Sequence, residues 1–126
     1  MTKSITYEVT VSECNTFWRL NGKFHREDGP AIEYADGDKY WFINGKYHRE
    51  DGPAVEHANG TKAWCTNGEY HRTDGPAIEY ADGTNQWYID GEVLSEDEFI
   101  ERTQPVVEVT VAEIEALVGK RVKIIK

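Results

Sequence analysis

Trp41-Phe-Ile-Asn-Gly-Lys-Tyr-His-Arg-Glu-Asp-Gly-Pro-Ala54 decides the fold, because the chain writes this stretch more than three times. Trp18, Trp41, Trp64 and Trp87 stand 23 residues apart, as do Gly22, Gly45, Gly68 and Gly91, and within the unit His25, His48 and His71. Asp28-Gly29-Pro30 returns as Asp51-Gly52-Pro53 and Asp74-Gly75-Pro76, and Gly37 as Gly60 and Gly83. Ten of the eleven glycines lie on this lattice, so the period governs the backbone and not only the side chains. A fixed period of this size predicts a stacked array in which each unit completes its core with its neighbours.

Turn chemistry inside the unit makes the array a β one. Asn44-Gly45 is the dipeptide a two-residue hairpin turn prefers, because both central residues need positive φ, and Asp36-Gly37, Asn59-Gly60 and Asp82-Gly83 are of the same kind. Between them Glu50-Asp51-Gly52-Pro53 makes a wider corner, since proline fixes φ and has no ladder donor. The unit reads as strand 39–43, turn, strand 46–49, corner, strand 54–58, turn, which leaves no room for a helix. Two-residue turns also set a register. Around Asn44-Gly45, Phe42 faces Tyr47 and Trp41 faces His48. Around Asp36-Gly37, the same assumption puts Ile32 against Trp41 and Glu33 against Tyr40. One face then carries Ile32, Trp41 and His48 with their copies, and it is the expected buried face. The other carries Ala31, Phe42 and Tyr47.

Outside the period, residues 2–11 alternate β-branched and polar side chains and predict an opening strand that caps the first repeat. From Glu92 the period stops. Ser95-Glu-Asp-Glu98 and Thr110-Val-Ala-Glu113 are capping-box patterns. They predict a helix at about 95–103, an extended stretch 105–110, a helix 111–118 ended by Gly119, and a strand 121–125. The expected fold is mainly β: an antiparallel β-hairpin repeat array over 1–92 with its N-terminal capping strand, and a small α/β C-terminal cap over 93–126.

The charge narrows the partners. The 126 residues carry a net −9, spread as −1 over residues 1–17, −5 over 18–91 and −3 over 92–126. Such a surface repels phosphate backbones and anionic lipid and favours basic proteins. No apolar run approaches a membrane span and no signal-peptide core opens the chain. With Cys14 and Cys65 in no metal-type pair, the expected location is a reducing cytoplasm.

The run Trp-x-x-Asn-Gly-Lys-x-His followed by an Asp-Gly turn resembles the MORN repeat, a 23-residue β-hairpin unit, across residues 18–91. It does so as a variant, with Arg-x-Asp-Gly-Pro-Ala after the histidine. The resemblance implies a protein-binding scaffold. The His-Arg-Glu-Asp-Gly-Pro-Ala form, and the ending from Val111 to Ile125, are similar in style to short bacteriophage reading frames. That likeness implies a viral accessory protein that occupies a basic, nucleic-acid-handling site on a bacterial defence protein, in the host cytoplasm.

Chemistry is the weaker reading. His48-Arg49-x-Asp51 pairs a base with a carboxylate. It recurs with each repeat, however, and an imidazole opposite a tryptophan, with the corner Asp bonded to backbone or imidazole, is a device for holding repeats together. Copies of the histidine lie about three strands, or ~14 Å, apart in a regular sheet, too far to share a metal ion. No phosphate-loop pattern is present. His57 replaces Tyr34 and Tyr80 and breaks the pattern. The reading is therefore no enzyme, no metal and no cofactor. The expected contact surface combines the carboxylates Glu33, Glu56 and Glu79 with the aromatics Tyr40, Phe42, Tyr47, Tyr70 and Tyr88. The plain alternative is that these tyrosines only pack the second face of the sheet. A structural role, with open array edges pairing between copies, is the alternative function, and a small-ligand site on the His-Arg-x-Asp repeats is a third.

Overall fold

A computed structural model describes residues 5–104 and 109–118. Glu8–Ser12 (β1) and Asn15–Leu20 (β2) form a hairpin, followed by Lys23–Phe24 (β3). Next come Ile32–Glu33 (β4), Lys39–Tyr40 (β5), Phe42–Ile43 (β6), Lys46–Tyr47 (β7) and Val55–Glu56 (β8). The pattern repeats as Lys62–Ala63 (β9), Cys65–Thr66 (β10), Glu69–Tyr70 (β11) and Ile78–Glu79 (β12). It ends with Asn85–Ile89 (β13), Glu92–Leu94 (β14), Glu96–Thr103 (α1) and Val111–Val118 (α2). The fold is mostly β, an antiparallel sheet of short hairpin strands with two short helices. A ten-stranded sheet runs in the order β1-β2-β4-β5-β8-β9-β12-β13-β14, with β3 also on β2, and β6-β7 and β10-β11 form two-stranded ribbons.

The Asn-Gly turns take the expected form. Asn21, Asn44, Asn67 and Asp90 all have positive φ, as do the glycines after them, and Phe42 opposes Tyr47. Successive ribbons then bond tip to tip, with the Gly45 N–H donating to Phe24 O at 2.8 Å and the Gly68 N–H to Tyr47 O at 2.8 Å. This second ladder carries the stacking where the strands themselves are only two residues long.

The Asp-Gly turns depart from expectation. They hold three residues, not two: the Tyr34 N–H donates to Asp38 O at 2.9 Å, and Asp36 Oδ1 accepts from the Asp38 N–H at 3.0 Å. The asparagine and aspartate equivalents at 59 and 82 do the same. An Asx side chain bonded two residues ahead, with glycine at positive φ behind it, favours this longer loop. The register moves by one, so Ile32 opposes Tyr40 and Glu33 opposes Lys39. A one-residue slip exchanges faces. Ile32, Val55 and Ile78 are buried with the tyrosines, where Val55, Ala63 and Ile78 form the core and Tyr40 and Tyr88 pack against it. The tryptophans lie half-buried on the opposite face, above the fully buried Ala31, Ala54 and Ala77.

Other bounds also move. The predicted strand 39–43 is interrupted at Trp41, whose N–H reaches Ala54 O in the main sheet while its C=O accepts from the His48 N–H in the ribbon. Among the described residues the opening strand begins at Glu8, with 2–4 of the expected span outside them, and it closes on a Glu13-Cys14 turn at positive φ, a turn without an Asn-Gly signature. Helix α1 starts after Ser95, whose hydroxyl caps Glu98 N–H while the Glu98 carboxylate returns to Ser95 N–H. Helix α2 has the expected bounds. Most of the extended stretch 105–110 and the strand 121–125 fall outside the described residues. Among the described residues no helix is long and apolar enough to cross a membrane.

Candidate functional site: a tyrosine-walled hollow

The residues that look like chemistry are used to hold the array. In each repeat the arginine after the histidine lies over the preceding tryptophan, with Cζ of Arg26, Arg49 and Arg72 at 4.1, 3.9 and 3.8 Å from the ring centres of Trp18, Trp41 and Trp64. Arg49 Nε donates to Asp51 Oδ1 at 3.0 Å, and its Nη1 to Pro53 O at 3.0 Å and Glu56 Oε1 at 3.3 Å. Arg72 makes the same set with Asp74, Pro76 and Glu79. The corner aspartate therefore serves the arginine and not the imidazole. Hydrogen bonds from Arg72 hold the Asp74 carboxyl below its ordinary range. Glycine follows that aspartate because the guanidinium occupies the place of a side chain: a Cβ at Gly52 would stand 2.9 Å from Arg49 Cζ.

The histidines bind across repeats. Nδ1 of His25, His48 and His71 faces the N–H of Asn44, Asn67 and Asp90 at 2.9, 3.1 and 3.0 Å, so the imidazole serves as acceptor for the next hairpin tip. Asn15, Asp38 and Thr61 bridge repeats in the same manner, accepting from Ala35, Ala58 and Ala81 N–H. The bond from Ala58, with His57 beside it, keeps the Asp38 carboxyl low. Grooves of about 790 and 770 Å³ open beside Trp41 and Trp64, but they are furrows between successive corners, lined by these same engaged groups. Among the described residues no three His, Cys, Asp or Glu side chains gather as metal ligands would.

Among the described residues, the opposite face carries a file of aromatic rings that is broken at one repeat. Aromatic rings follow one another from Phe17 to Phe24 at 6.4 Å, Phe24 to Phe42 at 5.4 Å, Phe42 to Tyr47 at 4.5 Å and Tyr47 to Tyr40 at 6.1 Å. Tyr40 also meets Tyr34 and His57 edge-on, both at 5.8 Å. One repeat later the positions of Tyr40 and Phe42 are held by Ala63 and Cys65. The file stops there and resumes at Tyr70 and Tyr88, 5.1 Å apart. The two truncations leave a hollow of about 470 Å³, walled by Tyr40, Tyr47, Tyr70, Tyr80 and His57 over a floor of Val55, Ala63, Cys65 and Ile78. That volume and mixture suit one or two partner side chains. Burial raises the Tyr40, Tyr47 and Tyr70 hydroxyls and pushes the Cys65 thiol up to about 11, so these tyrosines are neutral and the floor is unreactive.

Of the expected contact residues, Tyr40, Tyr47 and Tyr70 come together here. Phe42 stacks on Tyr47 at the edge, and Tyr88 packs beside Tyr70. Glu33, Glu56 and Glu79 do not form a free ladder. They pair with Arg26, Arg49 and Arg72 at 3.8, 3.3 and 3.1 Å. The more exposed carboxylates are at the corners, where Glu27 and Glu50 project into solvent, and Asp28, Asp51 and Asp74 are also exposed although bonded to the arginines. Sequence reasoning left Ala63 and Cys65 out of the contact surface. The signal for both was the loss of bulk at two aromatic positions in a single repeat. Compared with protein-family models, curated proteins and solved structures, the chain matches none of them.

Proposed function

We propose that this is a non-enzymatic protein-binding module whose tyrosine-walled hollow receives side chains from a basic segment of a partner protein. The observation behind this reading is the break in the aromatic file at Ala63 and Cys65. The loss of both aromatic side chains, at 63 and 65, occurs in one repeat only, so the hollow it leaves is not required by the period. Tyrosine supplies contact area at low entropic cost and its ring face attracts Lys and Arg. The corner carboxylates and the net −9 add the long-range field that brings such a partner in. The Trp–Arg–Asp sets recur, and each group in them already has a partner, which speaks against catalysis. The finer form of the proposal is a MORN-like, bacteriophage-encoded inhibitor that covers a basic, nucleic-acid-handling site on a bacterial defence protein. The resemblance of the repeats supports it.

The test is capture from a bacterial lysate followed by kinetics on the purified partner, using Ala63→Tyr and Cys65→Phe. Each restores the side chain that the preceding repeat carries, so the backbone accepts both. Filling the hollow is expected to weaken binding by about tenfold or more with little change in melting temperature. Association slows as salt shortens the Debye length from ~10 Å at 0.1 M to ~3 Å at 1 M. Binding that neither filled variant weakens would remove the hollow as the contact.

A further inference from the structure

We infer that β1 is the seam of a two-fold dimer, in which the β1 strands of two copies of this chain pair antiparallel about Thr10. Among the described residues β1 pairs only with β2 and stands at one end of the ten-stranded sheet. The direction of its backbone groups follows from its neighbour. Val9 opposes Trp18, whose N–H donates away from β1 to Ala31 O at 2.7 Å and whose C=O accepts from His25 N–H at 3.2 Å. Val9–Trp18 is thus a non-hydrogen-bonded pair, and so is Val11–Thr16 two residues on. The inward bonds fall on Glu8, Thr10 and Ser12, which leaves the N–H and C=O of Val9 and Val11 facing outward along the free edge.

Those four groups match a second copy of themselves. With the axis at Thr10, Val9 meets Val11 of the other copy twice, and each pair exchanges both of its hydrogen bonds. Glu8 meets Ser12, so no like charges are directly opposed. Val9 and Val11 lie on the face of Tyr7, whose ring is 5.6 Å from that of Trp18. They are 47% and 69% exposed, and the axis gathers four valines on one side of the seam. Edge strands of single-chain proteins are ordinarily blunted by lysine, proline or a bulge, and β1 has none of these. The seam is short of the ~1,200 Å² at which stable interfaces begin, so the dimer forms at micromolar concentration. Joining two arrays edge to edge gives one continuous sheet with two hollows, and so a bivalent partner surface.

Light scattering or sedimentation across a concentration series tests this on the whole chain. The expected mass rises toward twice 14.4 kDa by about 100 µM. Higher salt favours the dimer, because each copy carries −9. This is opposite to the salt dependence expected for partner capture, so the two proposals fail separately. Val11→Pro removes an outward donor and no bond to β2, and is expected to raise the dissociation constant at least about tenfold with an unchanged melting temperature. In a Cys14→Ser background, Thr10→Cys on the axis is expected to give a disulfide-linked dimer when oxidised glutathione is added, and Glu8→Cys is not. A chain that stays monomeric at every concentration overturns the inference. So does a dimer indifferent to Val11→Pro, or one that Glu8→Cys links as readily as Thr10→Cys.

Discussion

Gly52→Ala is expected to destabilise the parent protein and to stabilise the Arg49→Ala variant. Gly52 does not have the positive φ of the turn glycines, so its backbone conformation suits alanine. Replacing glycine at such a site gains about 0.4–1 kcal/mol by restricting the unfolded chain. In the parent, the new Cβ would lie 2.9 Å from Arg49 Cζ and must displace the guanidinium. That group is 22% exposed, 3.9 Å from the Trp41 ring and bonded to Pro53 O and two carboxylates. Stacking on an indole contributes about 0.5–2 kcal/mol. The bond to a half-buried carbonyl adds about 1 kcal/mol. The carboxylate pairs, open to solvent, add about 0–1 kcal/mol. Removing the arginine outright therefore costs about 1.5–4 kcal/mol, and displacing it forfeits a part of that, about 1–2 kcal/mol. The net expectation is a loss of about 1 kcal/mol in the parent and a gain of about 0.5 kcal/mol without the arginine, a coupling near 1.5 kcal/mol. Urea unfolding of the four proteins, followed by circular dichroism, measures all three numbers. Additive effects, or Gly52→Ala destabilising both backgrounds alike, would refute the Trp–Arg–Gly sandwich as the element that holds the corner.

Trp41→Ala is expected to cost about 2–4 kcal/mol by the same assay, below the upper range for a fully buried aromatic because the ring is half-exposed and covered by Arg49; a loss under ~1 kcal/mol would mean the indole supports nothing. The Cys65 thiol, raised to about 11 by burial, should resist alkylation at pH 8 while exposed Cys14 reacts, and mass spectrometry of the labelled native protein separates the two. Its folded pKa lies above the ordinary 9.0, so the unfolded chain releases this proton first. Stability from Cys65 is thus complete below pH 9 and is lost toward pH 11, and Cys65→Ser should remove that part of the alkaline decline.

The period, the hairpins and the helix caps were legible because each rests on local backbone chemistry. Asn44-Gly45 needs positive φ at both residues, and Ser95 with Glu98 closes a capping box, whatever the rest of the chain does. The register across Asp36-Gly37 was not legible from the dipeptide. A two-residue and a three-residue turn both end in glycine, and the choice is made by the Asp36 carboxylate reaching the Asp38 N–H. That single residue separates the isoleucines from the tryptophans: Ile32, Val55 and Ile78 are buried as expected but on the tyrosine face, and the tryptophans are left half-buried on the other. The Asp51 partner was missed for a related reason. Reading His48 and Asp51 as neighbours ignores that Arg49 turns back over Trp41 and reaches the corner first. Glu13-Cys14 carries no turn signature of its own, and only the pairing of β1 with β2 reveals it.

The two faces differ in what a substitution there can change. On the tryptophan face every recurring group is bonded within its repeat or to the next: arginine to indole and corner, histidine to the following hairpin tip. A change at one of these positions removes a stacking element, so identity is held across repeats. On the tyrosine face the contacts are mostly ring against ring, which tolerate different side chains provided that the backbone ladder survives. Position 40 can become Ala63, position 42 Cys65 and position 34 His57 while the tip-to-tip bond from Gly68 N–H to Tyr47 O keeps its 2.8 Å length. An array built this way can alter its contact surface without altering its stacking. The hollow is the one place where three such exchanges meet, with both truncations on its floor and the imidazole in its wall.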